Sequence, residues 1–228
     1  MIWLWNNLGL VAGLTLEHAR LSLIPIVVGF AASIPLGWLA YRYRVARTVL
    51  LSVGSIAFTI PSLALFLVLP LVLGTKILDP INVVVALTIY AVAIMVRGAA
   101  DAFASVSPDV LDSATAVGSS RVSRFFRVQL PLAGPVLLAN LRVVSVSTIS
   151  LLSVGAIIGN GGLGYLFTNG YQRDFPEQVL VGIIAILLLA VLFDLALVGL
   201  GRLLLPWAHV RTRRRAKQAD LIPAGVTR

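Results

Sequence analysis

The stretch that decides the fold is Asp109-Val-Leu-Asp-Ser-Ala-Thr-Ala-Val-Gly118-Ser-Ser-Arg-Val-Ser-Arg-Phe-Phe-Arg-Val-Gln-Leu-Pro131, a polar segment between two apolar blocks. Its first half is compatible with a short helix that Gly118 ends in a positive-φ conformation, and Ser119 or Ser120 caps the helix that follows. In the second half, apolar residues recur at helical spacing and arginines occupy the other side. Pro131 fits the first turn of a further helix. The segment therefore predicts a helix, a glycine hinge and a second helix, which together present apolar and basic side chains for docking.

The composition is that of a membrane protein. Hydrophobic residues make up 59% of the 228 residues, charged residues only 12%, and the mean hydropathy is +0.99. Soluble domains carry about 25% charged residues. The chain has no cysteine, which excludes disulfides, thiolate metal sites and cysteine nucleophiles. His18 and His209 are the only histidines, so neither a metal site nor a Ser-His triad is predicted.

Apolar stretches predict five membrane-spanning helices, since a span needs about 20 residues. The predicted spans are 21–40, 48–73, 81–96 (continuing in polar form to about Ala104), 132–158 and 179–205. Residues 2–16 are apolar but too short to span, and Trp3 and Trp5 are typical of an interfacial helix. The fold class is therefore all-α and polytopic, with an N-terminal interfacial segment (1–20), one transmembrane domain (21–205) and a basic tail (206–228).

The basic residues decide the orientation. With the C-terminus inside, fourteen basic residues lie on inside segments and three on outside segments, which is the positive-inside bias. A nucleic-acid patch would not be partitioned in this way. The predicted topology is N-out and C-in. The inside set is Arg42, Arg44, Arg47, Arg97, Arg121, Arg124, Arg127, Arg202, Arg211, Arg213, Arg214, Arg215, Lys217 and Arg228, and the outside set is Arg20, Lys76 and Arg173.

The spacing of the polar stretch carries a family resemblance. Asp112-Ser113-Ala114 is followed by three residues, Gly118, nine residues, Val128, one residue and Leu130-Pro131. This resembles the EAA loop of ABC-transporter permeases, which reads Glu-Ala-Ala, three residues, Gly, nine residues, Ile, one residue, Leu-Pro. The departures are Asp for Glu, Ser for Ala and Val for Ile, and every spacing is kept. The alternative is an ordinary polar loop between membrane helices.

The resemblance implies a type I importer in which the coupling loop, residues 105–131, docks into a groove of a separate cytoplasmic ATPase. The sequence has no Walker A pattern, so ATP and Mg would be bound by that partner. The chain itself is then expected to be a transport subunit without a cofactor, not an enzyme. An alternative role for the two phenylalanines is to anchor the loop in the lipid interface. The expected docking residues are Asp112, Ser113, Ala114, Gly118, Arg121, Arg124, Phe125, Phe126, Leu130 and Pro131.

Two further segments narrow the resemblance. Thr59-Ile-Pro-Ser-Leu-Ala-Leu65 and Gly159-Asn-Gly-Gly-Leu-Gly164 resemble segments of the osmoprotectant permeases, which import glycine betaine, carnitine and choline. This implies alternating access in a prokaryotic inner membrane, with a second permease (identical or related) and an extracytoplasmic substrate-binding protein as partners. Because the tryptophans lie near span ends and form no aromatic cage, selectivity is expected in the binding protein. Alternatives are a permease for an amino acid or oxyanion, or a channel or scaffold that works without an ATPase.

Polar residues inside the spans are candidates for the translocation pathway. Arg142 and Asp194 lie within predicted spans, where ionisable groups are costly and functional by default. They either pair with each other, contact substrate, or snorkel to the interface. Pro61 predicts a kink in the second span. By the family resemblance, Thr59 and Ser62 beside this kink are candidates for the translocation pathway. The alternative is a packing kink without substrate contact.

Glycines crowd the outer end of the fourth predicted span, in the outer glycine segment from Gly155 to Gly164. A phosphate-binding loop is disfavoured here because no strand precedes it. The segment instead predicts a turn that ends the helix at the outer membrane surface. The residues that follow it, from Tyr165 to Pro176, are expected to face an extracellular binding protein.

Overall fold

A computed structural model describes residues 2–207, and this part of the chain is helical without a strand. The basic residues from Arg211 onward and His209 lie outside the described residues, as does nearly all of the predicted tail. The α-helices are α1 Ile2–Asn6, α2 Leu8–Arg42, α3 Arg44–Thr59, α4 Ser62–Leu73, α5 Pro80–Ala104, α6 Pro108–Ala116, α7 Arg121–Arg124, α8 Leu130–Leu152, α9 Tyr165–Gln172 and α10 Pro176–Leu204. A π-turn, Phe125–Gln129, joins α7 to α8, and 3₁₀ turns occupy Ser153–Ile158 and Gly162–Gly164.

The prediction of a polytopic all-α membrane protein is confirmed. Among the described residues, four helical segments are long and apolar enough to cross a membrane: Leu8–Arg42, Pro80–Ala104, Arg121–Ile158 and Pro176–Leu204. The pair α3 and α4 forms a fifth when counted as one bent span.

The first membrane helix is longer than predicted. The sequence placed a boundary at residue 20, but α2 runs unbroken from Leu8 to Arg42. The polar residues from Glu17 to Arg20 look like the end of the interfacial helix in the sequence, but they lie inside α2, where the His18 side chain is fully buried. Its Nδ1 lies 3.2 Å from the carbonyl oxygen of Gly161, and its Nε2 lies 2.9 Å from that of Ile149. The interfacial position of the first residues stays a prediction.

The second predicted span is broken rather than kinked. Helices α3 and α4 meet at an angle of 104° around Ile60 and Pro61. Ile60 is extended, with φ −66° and ψ 127°, as a residue before proline prefers. Its freed carbonyl oxygen accepts a hydrogen bond of 2.7 Å from the hydroxyl of Tyr90 on α5, so the break is stabilised by a tertiary contact.

Helix α5 forms the centre of the fold. Met95 and Phe103 of α5 are fully buried in one hydrophobic cluster with residues of α8, which we call the inner core. Val83 and Leu87 are buried in a second cluster with residues of α4, the outer core. Small residues let α2 approach closely: a β-carbon built on Gly29 would lie only 2.6 Å from that of Ala91. This is the way in which membrane helices pack when no hydrophobic force drives them together.

The outer glycine segment ends α8 as a tight turn. Gly159 has a φ of +84° and Gly162 a φ of +49°, both in the left-handed region that favours glycine. Asn160 is buried and donates a hydrogen bond of 2.8 Å from its Nδ2 to the carbonyl oxygen of Leu78. Together with the contacts of His18, this bond ties the segment to α2 and to the residues before α5.

Candidate functional site

The coupling loop has the predicted helix, hinge and helix. Helix α6 ends at Ala116, Val117 is its C-cap, and Gly118 follows with a φ of +85°. The Gly118 N–H donates to the Thr115 carbonyl at 2.9 Å, and the Ser119 N–H donates to the Ala114 carbonyl at 3.1 Å. These two bonds form a Schellman motif, which satisfies the last carbonyls of the helix and needs a residue at positive φ.

The hinge is closed by side chains on both helices. The hydroxyl of Ser120 accepts the Ser123 N–H at 3.2 Å and so caps the next helix. Arg124 of α7 donates a hydrogen bond of 2.6 Å to the hydroxyl of Thr115 on α6. The two helices are thus held to each other as one unit.

The predicted docking residues divide into an outward and an inward set. Asp112 and Ser113 of α6 are exposed, whereas Ala114 is buried against the chain. No atom lies within 4 Å of a β-carbon built on Gly118, so the hinge stands in open space. The exposed side of α6 and the hinge is therefore free to meet a partner.

The two phenylalanine rings touch edge to face, with centroids 4.9 Å apart, but they differ in burial, which the sequence pattern did not predict. Phe125 packs inward, with its ring centroid 5.9 Å from that of Trp38 and 5.7 Å from that of Phe103. Phe126 is 61% exposed. The expectation that both serve as outward anchors is corrected for Phe125, because its ring completes the inner core.

Leu130 and Pro131 also differ from the prediction. Pro131 lies in the first turn of α8, as expected, but the helix does not start afresh there. It continues from α7 through the π-turn, in which the Leu130 N–H bonds to the Phe125 carbonyl. A π-turn is wider than an α-turn and accommodates a proline that has no N–H to donate.

A cavity of about 430 Å³ separates the coupling loop from the inner end of α2. Arg42, Arg121 and Arg124 line it together with Asp112, so positive charge predominates. Gln129 is buried at its wall, and its Nε2 has no hydrogen-bond partner among the described residues. The arginines predicted for docking thus border a basic depression.

Arg142 and Asp194 form an ion pair between α8 and α10. The Arg142 Nε lies 2.5 Å from Asp194 Oδ1, and the second contact of the pair, from the guanidinium to Oδ2, measures 2.8 Å. This bidentate geometry is the strongest arrangement for an arginine and a carboxylate. Of the alternatives raised by the sequence, the structure contains the pairing; a pathway role stays a prediction.

The remaining pathway candidates lie at the break between α3 and α4. Thr59 is exposed and donates to the Ile56 carbonyl at 2.7 Å. Pro61 is exposed, and Ser62 is half-buried at the start of α4. Of these residues, Thr59 lines a groove between α3 and α5.

This groove, which we call the α3–α5 groove, was missed by the sequence reasoning. It has a volume of about 350 Å³, and Leu51, Ser55, Phe58, Thr59, Ile94 and Arg97 are among its lining residues. Arg97 was predicted as an inside charge in the polar continuation of the third span, and α5 does continue to Ala104. The available signal was the hydroxyl spacing of 48, 52, 55 and 59, which marks one polar helix face.

In the described part of the chain, no group of three or more His, Asp or Glu side chains is arranged to hold a metal ion. The polar groups that the fold brings together are the coupling loop, the Arg142–Asp194 ion pair and the groove. The predicted docking loop thus lies at one end of a bundle of membrane helices.

Comparison with known proteins decides the family. The sequence profile of the family described as "Binding-protein-dependent transport system inner membrane component" matches residues 20–207. The chain belongs to this family. It is a multi-pass membrane component of a transport system, and the coupling loop lies within the matched part.

Individual relatives cover most of the permease. It is 31% identical over 207 residues to the osmoprotectant import permease protein OsmW of Salmonella typhimurium, covering 90% of this chain and 96% of the relative. It is 30% identical over 206 residues to the glycine betaine/carnitine/choline transport system permease protein OpuCB of Bacillus subtilis, covering 90% and 94%.

A solved structure confirms the fold. A chain of the MetNI methionine ABC transporter in an inward-facing form superposes with a TM-score of 0.74 at 21% identity. The match covers 87% of this permease and 98% of that chain. The helices therefore follow the arrangement of an ABC importer permease.

Proposed function

We propose that this chain is the permease subunit of an ATP-driven importer for compatible solutes of the quaternary ammonium class, such as glycine betaine, carnitine and choline. The single observation that carries the mechanism is the coupling loop, a Schellman-closed hinge with an exposed helix face. The solute class is supported by relatives of about 30% identity along nearly their whole length.

The proposed partners follow from the missing Walker A pattern and from the exposed face of the coupling loop. A cytoplasmic ATPase binds ATP and Mg and receives α6, with Phe126 as an apolar anchor and the basic depression opposite acidic groups. Aromatic and arginine side chains commonly dominate such interfaces. A second permease subunit completes the pathway, and an extracytoplasmic protein delivers the solute. The assembly sits in a prokaryotic inner membrane.

In the proposed cycle, closure of the ATPase pair moves the two coupling loops. Because Arg124 ties α7 to α6, and the π-turn joins α7 to α8 without a break, displacement of the loop is transmitted to a membrane helix. The helices then alternate between inward-open and outward-open arrangements, as ligands shift such equilibria. Hydrolysis in the partner resets the complex.

The experiment tests the loop with a pair of matched substitutions at the hinge. Gly118→Val places a β-branched residue at positive φ, which is a strongly disfavoured conformation, whereas Gly118→Asn keeps a residue that tolerates it. Each form is purified with a tag from its native membrane, and co-purifying proteins are identified. We expect an ATPase in equal amount with wild type and Gly118→Asn, and a loss with Gly118→Val.

Absence of an ATPase from all three forms would contradict the proposal and favour a channel or scaffold. Uptake into vesicles containing the whole complex tests the solute class: glycine betaine, carnitine or choline should accumulate with ATP. Accumulation of an amino acid or oxyanion instead would replace the proposed solute while leaving the docking role intact.

A further inference from the structure

Helix α3 differs from the other long helices in having no buried residue. One of its faces carries four hydroxyl side chains at helical spacing: Thr48, Ser52, Ser55 and Thr59. The last two line the α3–α5 groove. The hydroxyls of Thr48 and Thr59 donate to the carbonyls of Arg44 and Ile56 in their own helix, and the oxygens along this face can still accept from water or contact a polar ligand.

Arg97 places a positive charge in the same groove. It lies seven residues before the end of α5, which is about 10 Å along a helix, and its side chain is exposed. Its nearest acidic neighbour along the helix, Asp101, is bound to Arg47 at 2.9 Å. Within residues 2–207, Arg97 itself makes no ion pair. An arginine with no ion-pair partner among the described residues keeps its positive charge available to attract an anionic group.

Phe58 supplies an aromatic surface to the same groove. Its side chain is 49% exposed, and its ring stands at 90° to that of Tyr90 with the centroids 5.8 Å apart. Tyr90 is fixed by the hydrogen bond from its hydroxyl to Ile60. The edge-to-face contact holds the Phe58 ring in place, and an aromatic face attracts a quaternary ammonium group.

We propose that the α3–α5 groove binds a zwitterionic solute, with its carboxylate at Arg97, its quaternary ammonium at Phe58, and the hydroxyls of Ser55 and Thr59 between them. The groove volume of about 350 Å³ is near the lower end for small-ligand sites, as a betaine requires. This inference rests on the proposed function and adds to it a site within the membrane that distinguishes solutes with a carboxylate from choline, which has none.

The test measures uptake of labelled glycine betaine, carnitine and choline by vesicles that contain the complete complex and its unchanged binding protein. We expect Arg97→Gln to lower uptake of the two carboxylates about ten-fold to a hundred-fold, the range for a lost charged hydrogen bond, and choline uptake less than about two-fold. Arg97→Lys keeps the charge and should recover part of the loss. Arg202→Gln, an exposed arginine in the last turn of α10, is the matched control and should leave all three rates unchanged.

Phe58 is tested independently. Phe58→Leu should lower uptake of all three solutes about three-fold to ten-fold, because all three carry the ammonium group, and Phe58→Tyr should retain it. If Arg97→Gln fails to assemble, Arg97→Lys and the two Phe58 variants still test the site. The site is overturned if Arg97→Lys leaves the ratio of betaine to choline uptake unchanged and Phe58→Leu keeps full activity.

Equal losses of choline and betaine in assembled Arg97→Gln would also overturn the carboxylate assignment. Co-purification of the ATPase is measured on the same samples, so that the two proposals fail separately. Wild-type vesicles that take up none of the three solutes contradict the proposed function. Wild-type uptake with no selective loss in Arg97→Gln contradicts only the groove.

Discussion

The coupling loop and the outer glycine segment are both turns built on glycine, but they need glycine for different reasons. At Gly118 the surroundings are empty within 4 Å, and only the φ of +85° excludes most side chains. In the outer segment, positive φ at Gly159 and Gly162 is joined by a lack of space: a β-carbon on Gly155 would lie 2.6 Å from the Asn160 carbonyl oxygen. The inner turn is open around its glycine, whereas the outer turn is closely packed around its glycines.

The largest effect is expected from filling the packed turn. In Gly161→Ala, the new methyl group would lie 2.5 Å from the Cα of Ala156, a backbone atom that cannot rotate away. Overpacking of this kind costs about 1–3 kcal/mol or more. Thermal unfolding of the purified protein in detergent should show a clear decrease in Tm. A Tm equal to that of wild type would mean that the outer segment is not packed as described.

A smaller effect is expected when the buried histidine that holds this turn is replaced. In His18→Leu, the carbonyls of Gly161 and Ile149 lose the ring nitrogens beside them. An unsatisfied buried polar group costs about 1–3 kcal/mol. His18→Gln restores one donor and should recover part of the stability in the same unfolding measurement. If both variants unfold like wild type, the contacts of His18 do not hold the segment.

At the inner turn, a methyl group should cost less than in the packed turn. Gly118→Ala meets no neighbour, so its cost is the strain of a positive φ, about 1–2 kcal/mol. Gly118→Asn should lie between alanine and wild type, because asparagine tolerates this conformation. Unfolding of the isolated permease measures the difference. A loss as large as that of Gly161→Ala would show that Gly118 is packed after all.

The smallest effect on stability is expected at the exposed ring of Phe126 in the coupling loop. Phe126→Ala removes a side chain that is 61% exposed but touches the Phe125 ring, and it should lower the free energy of unfolding by about 1 kcal/mol or less. Its effect should appear in the amount of ATPase that co-purifies. Phe125→Ala is the matched comparison and should lower Tm, because Phe125 packs on Trp38 and Phe103. Equal Tm values would contradict their different placement.

Local chemistry made much of this fold predictable. Hydropathy located the membrane helices to within a few residues at α5 and α10, and the spacing from Asp112 to Pro131 predicted the helix, hinge and helix of the coupling loop. The positive φ at Gly118 followed from its position after a short polar helix. These features depend on neighbours along the chain, so a sequence contains enough information for them.

Other features depended on which helices become neighbours. The spacing of Phe125 and Phe126 left open which ring points inward, and the fold decided it by placing Trp38 beside one of them. The boundary at residue 20 was wrong because a histidine that looks like the end of a helix finds two carbonyl oxygens from distant segments. Neither Gly161 nor Ile149 lies near His18 in the sequence.

The sequence alone determined that this is a membrane protein of several helices, how its basic residues are distributed, and where its coupling loop lies, because period, length and turn chemistry act over a few residues. Only the tertiary structure decided that Arg142 meets Asp194, that α3 turns sharply into α4, and that Arg97 shares a groove with Phe58. The physical reason is that charges and rings acquire their partners through helix packing, which brings together residues that lie tens of positions apart.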